Sequence, residues 1–352
     1  MREKLFGKTL AELGEVASAL GMPRHAAGQI AAWLYKKGAR DIAAMTDISA
    51  ANRACLAGLY DIGLTPPLKE TVSADGTKKY LFAAVDNFVE AAMIPGRNAA
   101  GGLKEREENE SAQRATLCLS SQAGCRMGCA FCATGRQGLA ANLSTGDILN
   151  QFASLPEHNE LTNIVYMGMG EPLDNLDAVL RSLEILTAPW GYGWSPTRIT
   201  LSTAGVAPAL ERFLAESRVH LAVSLHNPFA DERAAIMPIE RAYPIAQIVD
   251  TLRRYPLEAQ RRISFEYIVM AGLNDSPRHV AGLVKLLGEL SCRVNLIKFH
   301  KIPGSPFFSP PPAEIERMRD TLTRRGIRTT IRASRGEDIE AACGLLSTKG
   351  AC

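Results

Sequence analysis

Seven short strand-like runs recur through the C-terminal two thirds of this chain, and their spacing narrows the choice of fold. They read "ATLCLS" (115–120), "TNIVYMG" (162–168), "TRITLST" (197–203), "VHLAVSLH" (219–226), "RISFEYIVM" (262–270), "CRVNLIKF" (292–299) and "IRTTIRAS" (327–334). Apolar-periodic segments of helical length separate most of them. Strands that alternate with helices predict an α/β fold with a parallel sheet and right-handed crossovers. Six or seven such units close, or partly close, into a (β/α) barrel. Polar and glycine residues gather just after the runs: "GMGEP" (168–172), Ser202 to Gly205, Ser224-Leu225-His226 and His300. A (β/α) barrel builds its active site at the C-terminal ends of its strands. The polar groups therefore fall where a barrel uses them.

The N-terminal third has another character. "TLAELGEVASAL" and "PRHAAGQIAAWLYKKG" carry apolar residues at helical spacing, with Gly38 as a stop, so residues 1–67 are expected to form a helical accessory domain. "KETVSADGTKKYLFAAVDNFVEAAMIP" has turn signals at Asp75-Gly76 and Asp86-Asn87, which predicts a small β-meander. The Gly-rich, then charged, stretch 96–113 is expected as a mobile loop. With that loop the meander makes a linker over 68–113, and the barrel domain fills 114–352.

No apolar run reaches the length of a membrane span, and the N-terminus lacks the pattern of a secretory signal, so a cytoplasmic protein is expected. Net charge is only +3, but between Thr251 and Arg335 there are 16 Lys or Arg against 7 Asp or Glu. That bias suits a polyanionic partner, and it equally suits a solvated helix face.

Eight cysteines in a cytoplasmic chain favour metal or thiol chemistry over structural disulfides. Cys125, Cys129 and Cys132 form C-x3-C-x2-C inside the glycine-spaced "GCRMGCAFCATGRQG". A structural zinc site wants four ligands, so zinc needs a fourth from elsewhere. A 4Fe–4S cluster takes one cysteine per iron, and three leave one iron open to a small molecule. In "MGMGEP" the glycines allow close backbone approach to a ligand, and Glu171 is placed to accept from an ammonium group. Of the remaining cysteines, Cys55 is expected in a helical core, Cys292 in strand packing and Cys352 at a frayed terminus. Composition does not choose between packing and catalysis for Cys118 and Cys343.

Taken together, "TLCLSSQAGCRMGCAFCATGRQG", "MGMGEPLDN", "LSTAG", "AVSLHNP", "FEYIVMAGLNDS" and "RGEDIEAACGLL" resemble the RlmN/Cfr family of radical S-adenosylmethionine (SAM) RNA methyltransferases. The resemblance runs over nearly the whole chain. It implies a partial (β/α)6 barrel behind the helical accessory domain. It implies a 4Fe–4S cluster on Cys125, Cys129 and Cys132, with SAM at Gly170, Glu171, Ser202, Ser224, Leu225, His226 and His300, two SAM being used per turnover.

The implied substrate carbon is an electrophilic amidine carbon of adenine, closed to ordinary SN2 methyl transfer. In the implied route Cys343 takes a methyl group from one SAM. A second SAM yields a 5′-deoxyadenosyl radical that activates this S-methyl group for addition to the ring. Glu90 removes the ring proton. Cys118 then attacks the sulfur of Cys343, releasing product and leaving a disulfide.

The implied RNAs are 23S rRNA (adenine 2503) and tRNA (adenine 37), served by an external electron donor and a disulfide reductant, and a monomer is expected. Pro172 and an acid at position 90 resemble the branch that methylates C2. The alternatives are the C8 branch and, in another class, a non-catalytic Fe–S RNA-binding protein. The chain departs from the family at His300 and Glu240, where asparagine is usual, and the 96–113 insertion is longer than expected. Histidine keeps one hydrogen-bond donor for SAM.

Overall fold

The computed structural model describes residues 2–84, 86–96, 114–255 and 261–348. Thus most of the 96–113 insertion, and Cys352, lie outside the described residues. The chain opens with β1 (Glu3–Lys4), α1 (Leu10–Ala19), α2 (Ala26–Tyr35), α3 (Ala50–Leu59) and β2 (Tyr60–Asp61). Thr9 starts α1 with a capping box, its hydroxyl accepting from the Glu12 N–H while the Glu12 carboxylate accepts from the Thr9 N–H. Helix α2 ends short of Gly38, whose φ of +63° suits a glycine stop. The pairing of β1 with β2 was not expected from the sequence, because each strand is only two residues long. Cys55 is corrected: it is exposed on α3, and Leu56 beside it carries the burial.

The N-terminal helices share one continuous core with the barrel. Gly7 lies so close to Gly146 that a Cβ on it would stand 2.4 Å from the Gly146 nitrogen. The Asn150 side chain also exchanges hydrogen bonds with the Thr65 backbone at 2.9 and 3.0 Å.

The meander is β3 (Lys69–Val72), β4 (Lys78–Ala84) and β5 (Asn87–Ile94), turning at Gly76 and at Asp86, both with positive φ. It does more than connect. Strand β5 pairs antiparallel with β6 (Thr116–Cys118), Ala92 opposite Cys118, so the meander extends the barrel sheet.

After β6 comes an unexpected hairpin of β7 (Gln122–Cys125) and β8 (Gly138–Asn142), and it carries the three-cysteine loop and the short α4 (Ala133–Gln137). Gly124 is required at its bulge: φ is +79°, and a Cβ would sit 1.8 Å from the Gly138 carbonyl oxygen. Then α5 (Thr145–Ala153) leads to β9 (Asn163–Tyr166), α6 (Leu176–Thr187), β10 (Ile199–Thr203), α7 (Ala207–Glu216) and β11 (His220–Ser224). The chain continues through α8 (Ala230–Ile236), α9 (Ile245–Arg254), β12 (Ile263–Val269), α10 (Pro277–Leu287), β13 (Arg293–Lys298), α11 (Pro312–Arg324) and β14 (Arg328–Arg332).

All seven expected strands are present. β6, β9, β10, β11, β12, β13 and β14 lie side by side in that order, every pair parallel. Every residue of β12 is buried, as for a parallel strand covered on both faces. The seven parallel strands with helices between them make the expected partial (β/α) barrel, with the meander on its first edge.

Candidate active site

A single cavity opens at the C-terminal ends of the strands. Its walls include Cys118 from β6, Cys125, Cys129 and Cys132 from the hairpin loop, Gly170 and Glu171 after β9, and Ser202 on β10. Ser224 and His226 around the end of β11, His300 after β13 and Cys343 near the C-terminus complete it. Thus eleven of the thirteen candidate residues share one space. Leu225 does not line it; its side chain is in the main core, and its carbonyl accepts from the Arg233 Nε at 2.9 Å. Glu90 does not line it either. It is buried on the same face of β5 as the lining residue Ala92, and its carboxylate is held by the Lys79 Nζ at 3.0 Å and the Ser347 N–H at 3.0 Å.

The loop after β9 is fixed from below. Ser120 Oγ accepts from the Met169 N–H at 2.8 Å, and Gln122 Oε1 accepts from the Glu171 N–H at 2.8 Å. Gly170 has φ of +100° and sits so close to Gln122 that a Cβ would lie 2.6 Å from its side chain. Glu171 is buried. Its carboxylate accepts from Thr203 Oγ1 at 2.6 Å, the Ala204 N–H at 2.7 Å and the Leu173 N–H at 3.0 Å. Even so, loss of water pushes its pKa up to about 7.

His226 takes a left-handed backbone, φ +56°, with its carbonyl accepting from Asn274 at 2.7 Å. Its Nδ1 accepts from the Ile268 N–H at 3.0 Å, which leaves the proton on Nε2. Burial drives its pKa down to about 3, so the ring is neutral. The ring meets Phe131 edge-on, at 4.6 Å between centroids. His300 is also buried, which lowers its pKa against the pull of the Glu337 carboxylate; its Nε2 lies 3.3 Å from Ser334 Oγ and its Nδ1 3.5 Å from Glu337 Oε1.

The three loop thiols fit a metal cluster by their chemistry. Burial pushes Cys125 up to about 12 and raises Cys129 and Cys132, each thiol also feeling its neighbours. Such thiols keep their protons until a cation takes their place. Among the described residues no three His, Cys, Asp or Glu side chains converge to hold a single metal ion. One wall bearing three thiols suits a multi-iron cluster with one cysteine per iron.

Three residues that the sequence reading passed over shape the same space. Arg233 is fully buried next to Cys129, pairs with Glu240, and donates to the carbonyls of Leu225, Ala204 (3.0 Å) and Ser224 (2.9 Å). It clamps the ends of β10 and β11 together, and the departure at Glu240 supplies its counter-charge, with the same carboxylate accepting from the Ile245 N–H at 2.9 Å. Arg332 lines the cavity close to both Cys118 and Cys343, 3.1 Å from Met167 Sδ and 3.7 Å from Glu266 Oε2. Glu266 is a lone acid inside the apolar run of β12. That pattern was a readable signal, because an unpaired acid is seldom fully buried.

Cys343 rides on the segment after β14, which crosses the cavity and is fastened at both ends. At one end Gly336 N–H donates to Asp75 at 2.9 Å, and Asp338 accepts from Ser73 Oγ at 2.5 Å and the Ala74 N–H at 3.0 Å. At the other, the Gly344 carbonyl accepts from the Ala133 N–H at 2.8 Å and the Leu346 carbonyl from Thr134 Oγ1 at 2.6 Å. Cys118 is buried, and desolvation raises its pKa to about 12, with the Arg332 charge and the Met167 N–H pulling it down.

The chain is similar to proteins already known. The family model described as the Radical SAM superfamily matches residues 119–284. The model described as the Ribosomal RNA large subunit methyltransferase N-terminal domain matches residues 3–62. A probable dual-specificity RNA methyltransferase RlmN from Bacteroides fragilis is 54% identical over 98% of this chain and 96% of its own length. Its namesake from Porphyromonas gingivalis is 55% identical over 99% of this chain and 97% of its own. The dual-specificity RNA methyltransferase RlmN of Syntrophotalea carbinolica is 42% identical over 97% and 88%. The crystal structure of a radical SAM methyltransferase from Sphaerobacter thermophilus superimposes with a TM-score of 0.87 at 40% identity, covering 98% of this chain and 99% of that one.

Proposed function

The chain belongs to the RlmN family of radical SAM RNA methyltransferases, and from that premise we propose that it methylates C2 of adenine in 23S rRNA (adenine 2503) and in tRNA (adenine 37) through a methylated cysteine. The observation that carries this reading is the gathering of five thiols on one cavity: the loop triad, Cys118 and Cys343. A SAM-cleaving site needs only three.

Cys125, Cys129 and Cys132 would hold the 4Fe–4S cluster, and Gly170, Glu171, Ser202, Ser224, His226 and His300 would surround SAM, with Leu225 contributing through its main chain. When bound, cluster and SAM supply an electron and a hydrogen-abstracting radical, two SAM being used per turnover. Cys343, half-buried on its segment, is the thiol that takes up the methyl group. With the RNA joined to Cys343 through an S–CH2 bond, Cys118 gives up its proton and attacks the Cys343 sulfur; the S–CH2 bond breaks, its electron pair and a proton complete the methyl group on the adenine, and the RNA leaves with a Cys118–Cys343 disulfide behind. The resulting disulfide is returned to thiols by an external reductant, as the cytoplasm supports. Glu90, buried on β5 beside the cavity-lining Ala92 and held by the Lys79 ammonium at 3.0 Å, is the proton acceptor of this reading. Among the described residues no helix is long and apolar enough to cross a membrane. We read the working unit as a monomer.

The test is anaerobic reconstitution with iron and sulfide, then SAM and dithionite with each RNA. Mass analysis of the digests should find 2-methyladenosine. Only 8-methyladenosine would move the assignment to the other ring carbon. Absence of 5′-deoxyadenosine would favour a non-catalytic RNA-binding protein. The Cys118→Ala variant should trap RNA on Cys343, visible as a shifted band on a denaturing gel.

A further inference from the structure

We infer that Phe308 is a stacking platform for a nucleobase of the RNA, standing on the rim of the catalytic cavity beside the target adenine. The inference rests on the RNA methyltransferase reading and adds to it a residue that grips the substrate.

Phe308 is 62% exposed. Among the described residues every other Phe, Tyr and Trp is buried or half-buried. Burying a phenyl ring is favourable, and this one is held in place with its surface left open. Phe308 is fixed. Its carbonyl accepts from the Ala271 N–H at 2.9 Å. Its neighbour Phe307 turns inward and packs edge-on against Phe299, 6.0 Å between centroids, on the apolar cluster that includes Cys125, Cys129 and Phe131. The same segment is tied to the cysteine loop, since Arg136 donates to the Pro303 carbonyl at 2.8 Å. The segment follows β13 and contains the cavity-lining His300, and the bond to Ala271 sets Phe308 just beyond the C-terminal end of β12, the end of the barrel at which the cavity opens.

Charge selects the occupant. The Lys301 ammonium lies over the Phe308 ring, 5.6 Å from its centroid, and Lys301 is exposed. Among the described residues the other exposed large apolar side chains, Leu59, Leu68 and Val72, lie on α3 and near the meander, and the exposed neighbours of Phe308 along the chain include Lys301, Pro306 and Pro311. An exposed aromatic ring with one ammonium beside it suits a base and its phosphate. An adenine drawn into the cavity also leaves its neighbour without a stacking partner, and a rim aromatic restores one.

The experiment measures equilibrium binding of a target stem-loop RNA to the full, reconstituted protein, as wild type, Phe308→Ala and Phe308→Trp. The same RNA is also made with an abasic residue on either side of the target adenine. On intact RNA, Phe308→Ala should weaken binding about 5- to 100-fold, and Phe308→Trp should restore it. On one of the abasic RNAs, wild type and Phe308→Ala should bind alike. Equal affinity of wild type and Phe308→Ala for intact RNA would overturn the inference. So would an undiminished alanine effect on both abasic RNAs. Binding is read apart from methylation, so a protein that makes no methyladenosine would count against the proposed function alone.

Discussion

Burial separates the two non-cluster thiols of the cavity by more than position. Cys118 is 8% exposed and its pKa is pushed up to about 12, mainly by loss of water. Cys343 is half-buried, and Cys55 is exposed. With iodoacetamide at pH 8 and peptide mapping, Cys55 should react first and Cys343 next, with Cys118 at least about tenfold slower than Cys343, because the thiolate is the reactive form. Labelling of Cys118 as fast as Cys55 would contradict this ordering. A second residue-scale prediction concerns Arg233. Glu240→Gln leaves its guanidinium buried without a counter-charge, a loss of about 3–5 kcal/mol by urea unfolding. The paired replacement Arg233→Met with Glu240→Leu should recover most of that. The cysteines were legible because their spacing is local. Arg233 and Arg332 were not, since an arginine reads as surface charge until the fold brings strand ends and a carboxylate or thiol around it.

At the scale of elements, the segment after β14 depends on Asp338, which accepts two of its hydrogen bonds from the meander turn. Asp338→Ala should cost about 1 kcal/mol overall. Its larger effect should be local: amide exchange around 341–346 should speed up while β12 keeps its protection. Unchanged exchange there would mean that the contacts to the cysteine-loop helix suffice alone. The seven barrel strands and the Asp75-Gly76 turn could be read from pattern, because periodicity and turn chemistry are written within a few residues. The β7–β8 hairpin could not. Its strands, "QAGC" and "GLAAN", are small-residue segments without the alternation that marks a strand.

For the molecule as a whole, buried titratable groups set opposing responses to pH. His220 and His226 have pKa values lowered to about 4 and about 3, in each case first by burial and then by neighbouring arginines. Between those values and the ordinary one near 6.5, the folded state binds fewer protons than the unfolded chain. Their contribution to stability is therefore full above pH 6.5 and is lost as pH falls. Glu171 acts in reverse. Its pKa is raised to about 7, so its contribution is full below about pH 4.3 and is lost as pH rises to 7. Urea unfolding across this range should find a shallower acid limb in His220→Asn, with the difference from wild type confined below pH 6.5. A parallel offset at every pH would show that the substitution acted through packing. The barrel as a whole was legible in the sequence. Its union with the meander into ten strands was not, since the pairing of Ala92 with Cys118 joins segments that no local pattern connects.

That pairing has a mechanical consequence. Cys118 is gripped from both sides, by β5 through Ala92 and by β9 through Val165, at the seam where antiparallel sheet meets parallel. Cys343 is held from one side by the Gly344 mooring next to it in the chain, and from the other by Ala341 and Ala342, both buried, with the Ala341 N–H donating to the Gly336 carbonyl at 2.8 Å. One sulfur is set by a sheet and the other by a loop pinned within one residue. With about 4 Å of chain between Cys343 and its mooring, whatever meets this thiol has to be brought to it.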